Sequence, residues 1–332
     1  MGATGLIGAN ACEALIVAGH AVRGMKRAAS HTQTVADLPV DWVTGDIRDT
    51  ASLERAMEGC EAVVLAAEAY TGHYRDVGWA RKIGRANAGN VKAACVEAGI
   101  RRAVFISSYA TIAHPLKGQA ADEARPVPPN HHPHNPYDQM KLEMEREWLE
   151  PAGGLEVVVT NPMGVWGPRD SGKSTGPVIR ALIRREIPVM IDTRVNIVDA
   201  RECARAQVLA LEKGRAGHRY LIGGADTRMR AVAQKVARLA GSSPPVMFPA
   251  MFIPPTVALL ESAGPSLNQS MKGLPLAVFA FALAYSHPFD FSKAKDELGY
   301  EPRYTLDNTL EGAEASVRAQ KARTGGGGRR SD

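Results

Sequence analysis

Tyr137 and Lys141 stand four residues apart in the run Tyr137-Asp138-Gln139-Met140-Lys141, just after Asn135-Pro136. An Asn N-cap followed by Pro is a helix start, and residues i and i+4 of a helix share a face. The phenol and the ammonium therefore project together. A neighbouring ammonium favours the phenolate and draws a tyrosine pKa down toward working pH, which is what a general acid/base requires. The same lysine can hold the ribose hydroxyls of a nucleotide. Ahead of this pair, the apolar run Arg102 to Ser107 ends in Ser107-Ser108. A serine at the carboxyl end of a neighbouring strand can hydrogen-bond a reacting oxygen. Further ahead the chain opens Met1-Gly2-Ala3-Thr4-Gly5-Leu6-Ile7-Gly8. Glycines at this spacing let backbone approach a pyrophosphate and leave helix N–H groups to bind it. Singly these signals are weak, since a Y-x-x-x-K fits a solvated helix face and a glycine run fits a turn. Their order along one chain gives them weight.

The elements that must position these groups alternate. Leu6 to Gly19 reads as a helix, His20 to Lys26 and Val40 to Thr44 as strands, and Ala51 to Glu58 as a helix closed by Gly59. Glu61 to Ala67 is an apolar run of buried-strand length. Ala80 to Ala98 is a long helix ended by Gly99, and Arg102 to Ser107 the next strand. The Asn135-Pro136 helix runs to Glu150, and Leu155 to Thr160 is a further strand. Strands alternating with helices imply an α/β fold: a Rossmann-type, doubly wound parallel sheet with helices on both faces. The second half is less regular. Val178 to Arg185, Ala200 to Lys213 and Thr227 to Leu239 read as helices, Pro188 to Asp192 and His218 to Ile222 as short strands. Pro-rich turns occupy Ser243 to Pro288. Lys293 to Leu298 and Leu306 to Gln320 close the fold, and Thr324 to Asp332 reads as a flexible tail. The expected organisation is a nucleotide-binding part over 1–165, a mainly substrate-binding part over 166–320 and a tail over 321–332. A glycine turn of this kind normally follows a buried strand. Without one, a slot is expected between the strands at His20 to Lys26 and Glu61 to Ala67, and the reading is that the native chain begins upstream of Met1.

Composition narrows the classes. The 332 residues are 45% hydrophobic and 23% charged, with a formal net charge of +5. That is an ordinary globular composition. Arg and Lys are scattered rather than gathered in a stripe, which argues against nucleic acid and suits an anionic small molecule. Cys12, Cys60, Cys95 and Cys203 are far apart and form no C-x-x-C, so reduced thiols and a cytoplasmic setting are expected. Leu274 to Tyr285 is apolar but too short to span a bilayer. With the apolar stretch 246–260 it leaves peripheral membrane contact as a minor reading. A monomer or homodimer is expected.

The constellation resembles the short-chain dehydrogenase/reductase superfamily, in its extended branch, and within it the dihydroflavonol-reductase-like and hopanoid-associated sugar-epimerase group. The resemblance covers nearly the whole chain. It implies that Gly2, Thr4, Gly5, Leu6, Ile7 and Gly8 form the nucleotide turn, and that Asp46 and Ile47, in Gly45-Asp46-Ile47-Arg48-Asp49, border the adenine. It places Ala66 and Ala67 near the nicotinamide ribose, and Ser107, Asn161 and Pro162 along the cofactor. Ser108, Tyr137 and Lys141 become the catalytic set, with Tyr137 and Lys141 also touching cofactor. Gly167-Pro168-Arg169-Asp170 and Lys295-Asp296-Glu297-Leu298-Gly299-Tyr300-Glu301-Pro302 match the substrate-side and C-terminal signatures. Two departures stand out. Met140 replaces the serine usual before the lysine. The long helix often carries an active-site asparagine, whose register position here is Gly84, with Asn87 and Asn90 nearby.

The strand at His20 to Lys26 speaks to the cofactor. An acid there suits the ribose 2′-OH of NAD, a basic residue the 2′-phosphate of NADP. No acid occurs between His20 and Gln33. Lys26 and Arg27 supply cations, and the family's phosphate-binding arginine aligns with Arg27. NADP(H) is favoured over NAD(H). The expected reaction is hydride transfer at a carbon bearing oxygen, with a small-molecule ketone or alcohol as substrate. A sugar-nucleotide epimerase or dehydratase is the alternative, because both chemistries use the same groups. Tyr70, Tyr109, Met163, Trp166 and Arg169 are the candidate substrate residues. The apolar segments favour a reductase; Arg169, Lys173 and Arg194 could serve a diphosphate.

Other classes compete less well. Gly167 to Ser174 satisfies the phosphate-loop pattern G-x-x-x-x-G-K-S, but Thr160 to Trp166 separate it from its strand. His131, His132 and His134 lie among prolines with no cysteine near, so no metal is expected. A non-catalytic NADP-binding sensor would ordinarily have lost the Tyr–Lys pair.

Overall fold

A computed structural model describes residues 1–67, 76–125, 127, 136–171, 175–249 and 287–325. The sequence readings for Tyr70, the 131–134 histidines, the Asn135 cap, Lys173 and the 250–286 segment lie outside those residues.

Strands β1 (Arg23–Lys26) and β2 (Asp41–Thr44) form one parallel pair. β3 (Ala62–Leu65), β4 (Arg102–Ile106), β5 (Glu156–Pro162) and β9 (Arg219–Ile222) form a four-stranded parallel sheet in the order β3-β4-β5-β9. Met1 and Gly2 lie between the two sheets and bond to both. Met1 N donates to Val64 O at 2.7 Å and Ala66 N to Met1 O at 3.1 Å, while Gly2 N donates to Met25 O at 3.2 Å. β6 (Gly164–Trp166), β8 (Arg194–Asp199) and β10 (Ala225–Arg228) make a small mixed sheet. β7 (Val189–Asp192) pairs with β11 (Val246–Pro249).

Helices cover both faces of the main sheet. Side chains alternate along a strand. Ala103 and Phe105 of β4, Val157 and Val159 of β5, and Val63 and Leu65 of β3 enter one core. There they meet α2 (Thr50–Met57), α3 (Val77–Glu97) and α4 (Pro136–Leu149). Val104 and Val158 point the other way, into a second core with α6 (Ala200–Lys213). α1 (Leu6–Val17) packs on α6. A third, smaller core joins α5 (Gly176–Ile183), α7 (Met229–Leu239) and the closing helix Leu306–Gly325. The chain is thus an α/β protein with a doubly wound parallel sheet. Among the described residues no helix is long and apolar enough to cross a membrane.

Several boundaries differ from the sequence reading for identifiable reasons. α3 begins at Val77 rather than Ala80, because the Asp76 carboxylate accepts from Trp79 N at 2.7 Å and caps an earlier turn. β1 begins at Arg23 rather than His20, since His20 and Ala21 are exposed with no strand partner. Four strands went unread: β6, β8, β10 and β11. They are three to six residues long, and their pairing partners lie far along the chain. The closing helix runs on to Gly325, past the expected stop at Gln320, through good helix formers in Lys321-Ala322-Arg323.

Candidate active site

The opening glycines build a cradle whose shape is backbone against backbone. A Cβ on Gly8 would sit 2.1 Å from Gly2 O, and one on Gly2 would sit 2.7 Å from Ala67 N. Gly2 also has a φ of +76°. Side chains are excluded there by contact, so the turn presses directly on the Ala66–Ala67 strand end. Gly5 is the N-cap of α1 and offers no side-chain cap. The first N–H groups of an α-helix have no partner within it and carry partial positive charge. That donor set, in a turn stripped of side chains, fits a pyrophosphate.

Just after β2, Asp46 is held by Arg48. Arg48 donates from its backbone N at 3.0 Å, from Nε at 2.9 Å and from Nη2 at 2.7 Å. These bonds hold the Asp46 carboxyl at about 2, with burial opposing and the charge of Arg27 adding to the effect. Arg27 is exposed at the end of β1 and Ile47 is buried in the first core.

α4 carries Tyr137 and Lys141. Tyr137 is half-buried against the first core. Lys141 is buried, and its Nζ donates to Ile106 O at 3.1 Å and lies 5.6 Å from the Phe105 ring centroid. The ammonium is therefore fixed at the end of β4, the strand that carries the serines. Ser107 N donates to Thr160 O at 2.8 Å, while among the described residues its buried Oγ has no hydrogen-bond partner. A buried hydroxyl of this kind, beside the lysine's anchor, fits the polar edge of a bound nucleotide. Ser108 is buried, and its Oγ accepts from Ala110 N at 3.2 Å. The Asn161 Nδ2, with two protons to give, lies 3.2, 2.9 and 2.8 Å from Ser108 O, Thr111 Oγ1 and Glu145 Oε2, while among the described residues its buried Oδ1 has no partner. Pro162 pairs with Ile222. Thr4 and Ile7 are half-buried near the turn, and Leu6 is buried.

The candidate substrate residues separate. Tyr109 and Met163 meet in the second core with Phe289 and Phe291, and the Tyr109 and Phe289 rings stand edge to face at 6.0 Å. Burial pushes the Tyr109 phenol up, and the charge of Asp138 adds to this. Met163, Phe289 and Phe291 line a cleft with Arg194, Asn196 and His287. Trp166 belongs to the third core. The Arg194 guanidinium is engaged by Asp226, with Nε 2.9 Å from Oδ1.

Arg169 goes elsewhere. Its Nε donates to Glu13 at 2.8 Å, and its Nη atoms to Thr34 O at 2.6 Å and to Asp37 at 2.8 and 2.6 Å. It ties the substrate-side turn to α1 and to the loop after β1. These bonds hold the Asp37 carboxyl at about 2, below its usual 3.8. A depressed carboxylate stabilises the fold above its unfolded pKa, and that share is lost as pH falls through the folded value. Asp37→Asn is therefore expected to lower Tm slightly at pH 6 and to converge with wild type as pH falls from about 4 to about 2. The Asp37 side chain is 63% exposed, so the gap corresponds to about 0.2–1 kcal/mol. Thermal melts across that range check it; a constant gap down to the acid end would show that the pair carries none of it.

Sequence reasoning missed Glu145, Thr111, Phe289 and Phe291. Glu145 had a signal, standing four residues after Lys141 on the same helix face. The phenylalanines had none, because they reach Tyr109 and Met163 only through tertiary contact. Among the described residues no group of three or more His, Cys, Asp or Glu could hold an ion, and His131, His132 and His134 lie outside them. Cys95 and Cys203 are pushed up to about 12 by burial.

Residues 1–223 match the model of the NAD dependent epimerase/dehydratase family. The chain is 30% identical to a putative dihydroflavonol 4-reductase of Synechocystis over 323 residues, covering 94% of this chain and 92% of that one. It is 30% identical to sterol demethylase protein B of Methylococcus capsulatus, covering 74% of each. The crystal structure of a nucleoside-diphosphate-sugar epimerase from Pseudomonas aeruginosa superposes with a TM-score of 0.78 at 29% identity, covering 96% of each chain.

Proposed function

Because the chain belongs to the NAD dependent epimerase/dehydratase family, the extended short-chain dehydrogenases/reductases, we propose that it is a cytoplasmic NADP(H)-dependent reductase of an apolar, ring-bearing ketone. The supporting observation is the cleft beside Tyr109. Met163, Phe289 and Phe291 line it together with Arg194, Asn196, Asp226 and His287, and the Arg194 guanidinium there is engaged by Asp226. Arg169, the other described candidate for a diphosphate, is engaged by Glu13 and Asp37. A sugar nucleotide would need those cations; a flat apolar ketone does not. The relatives named as a dihydroflavonol reductase and a sterol demethylase component are consistent with polycyclic substrates. Residues 1–165 hold the cofactor, and 166–320 supply most of the pocket.

When bound, the nicotinamide supplies the hydride. The residues of the chain do the rest. Gly2, Gly5 and Gly8 bare the backbone for the pyrophosphate, and the α1 N-terminus donates to it. Ala66 and Ala67 wall the ribose, and Arg27 meets the 2′-phosphate. Ser108 donates a hydrogen bond to the ketone oxygen, with Ser107 in support. Tyr137 gives its phenolic proton to that oxygen as negative charge develops, and Lys141 stabilises the phenolate left behind.

Nicotinamide absorbance followed with a flavanone, a steroid 3-ketone and a uridine-diphosphate sugar tests the reading. Net oxidation of NADPH by a ring ketone is expected, with NADPH preferred over NADH by about tenfold, or ~1.4 kcal/mol, and that preference lost in Arg27→Glu. Interconversion of the sugar nucleotide without net oxidation would establish the epimerase instead.

A further inference from the structure

Glu145 is a carboxylate buried at 2% exposure, one helical turn beyond Lys141 and two beyond Tyr137. It faces three donors from three different elements. Its Oε2 lies 2.7 Å from Thr111 Oγ1, in the turn just after Ser108, and 2.8 Å from Asn161 Nδ2 of β5. Its Oε1 lies 3.0 Å from Arg219 Nη1 of β9. The first two partners also hold the Ser108 carbonyl: Thr111 N donates to Ser108 O at 3.1 Å, and Asn161 Nδ2 approaches it at 3.2 Å. The Thr111 hydroxyl lies 2.8 Å from the same carbonyl, but it has one proton to give, and a carboxylate is the stronger acceptor.

From this arrangement we infer that Glu145 is a positioning residue that fixes Tyr137 and Lys141 relative to Ser108. The inference rests on the proposal that those three residues carry the reaction. An apolar helix face can slide or roll over a sheet at small cost. A buried carboxylate with three donors cannot, because any roll leaves a charge and its partners unsatisfied together. Lys141 pins the same helix to Ile106 O, one residue before the serines. The helix bearing the proton donor and the turn bearing the serine are thereby locked at two points, one on each side of Ser107. Proton transfer to a polarised oxygen tolerates little misplacement, and a shift of about 1 Å can cost about a hundredfold.

Three variants test this: Glu145→Gln, Thr111→Val and Thr111→Ser, with Glu143→Gln on the same helix as control, a residue that among the described residues pairs only with Arg146. On the ring ketone that the wild type reduces, Glu145→Gln and Thr111→Val are each expected to lower kcat about ten- to a hundredfold, while KM for ketone and Kd for NADPH stay within about threefold. Thr111→Ser, which restores the hydroxyl, is expected to recover kcat, and Glu143→Gln to leave it unchanged. Amide hydrogen exchange over residues 107–113 is expected to speed up in Glu145→Gln well below its Tm. A Glu145→Gln protein with lowered Tm but wild-type kcat would make Glu145 structural only and overturn the inference. So would a Thr111→Ser protein as slow as Thr111→Val, a pair that decides the question if Glu145→Gln does not fold. If the wild type reduces no ketone, the reductase reading fails separately. The exchange measurement then stands alone, and unchanged protection over 107–113 overturns the inference.

Discussion

Tyr137→Phe is expected to cut turnover by about 10²- to 10⁴-fold while NADPH still binds. The substitution removes one oxygen and keeps the ring that packs on the first core, so the helix start should survive. The cradle for the cofactor is built from Gly2, Gly5, Gly8 and the Ala66–Ala67 strand end, none of which depends on the phenol. What is lost is the proton. Other groups nearby are poor replacements. Tyr109 is pushed up by burial and by Asp138, so it holds its proton too tightly to donate it. Lys141 is anchored on Ile106 O, and moving it to the substrate would break that bond. Measuring kcat, NADPH Kd and Tm on one preparation checks the result. A Tyr137→Phe enzyme within tenfold of wild type would mean that another group donates the proton, and the assignment of Tyr137 would fall.

Much of the site was legible because its signals are local. The glycine run, the i, i+4 spacing of Tyr137 and Lys141, and a strand ending in Ser107-Ser108 each follow from a few adjacent residues. The alternation of strand and helix up to Thr160 was legible for the same reason, since each strand is an apolar run closed by a turn. What stayed hidden depends on distance along the chain. Arg169 looks like a free cation until the fold brings Glu13 and Asp37 to it. Asn161 reads as a cofactor contact, and only the fold shows that its amide nitrogen also lies among Ser108 O, Thr111 and Glu145. The strands β6, β8, β10 and β11 have no strong pattern of their own and exist because partners far along the chain complete them.

Gly84 is the sharpest case, and it yields the second large expectation. In register it stands where the family often has an active-site asparagine, and no local pattern accounts for a glycine in mid-helix. The fold supplies one. A Cβ there would lie 2.7 Å from Met140 O, 2.9 Å from Met140 Cγ and 3.3 Å from Met140 Cα. Met140 sits between Tyr137 and Lys141 on α4, so α3 touches α4 at the turn that carries both proposed acid/base residues. Propensity alone would make Gly84→Ala stabilising, by up to about 1 kcal/mol. Overpacking against a backbone carbonyl costs about 1–3 kcal/mol, so with the full propensity gain set against it the net effect is expected to be a loss of up to about 2 kcal/mol. Gly89→Ala on the same helix isolates the cause. Its Cβ would meet only Glu147 Oε1 at 3.8 Å, so there the propensity gain should appear undiminished. The two alanines are therefore expected to move stability in opposite directions in denaturant titrations. Because the repacking must push α4, Gly84→Ala should also lower kcat by about ten- to a hundredfold with NADPH affinity kept. If Gly84→Ala proves as stable and as active as Gly89→Ala, α3 and α4 must be free to part. The active-site geometry would then be held by the strand-end bonds of Lys141 and Glu145 alone.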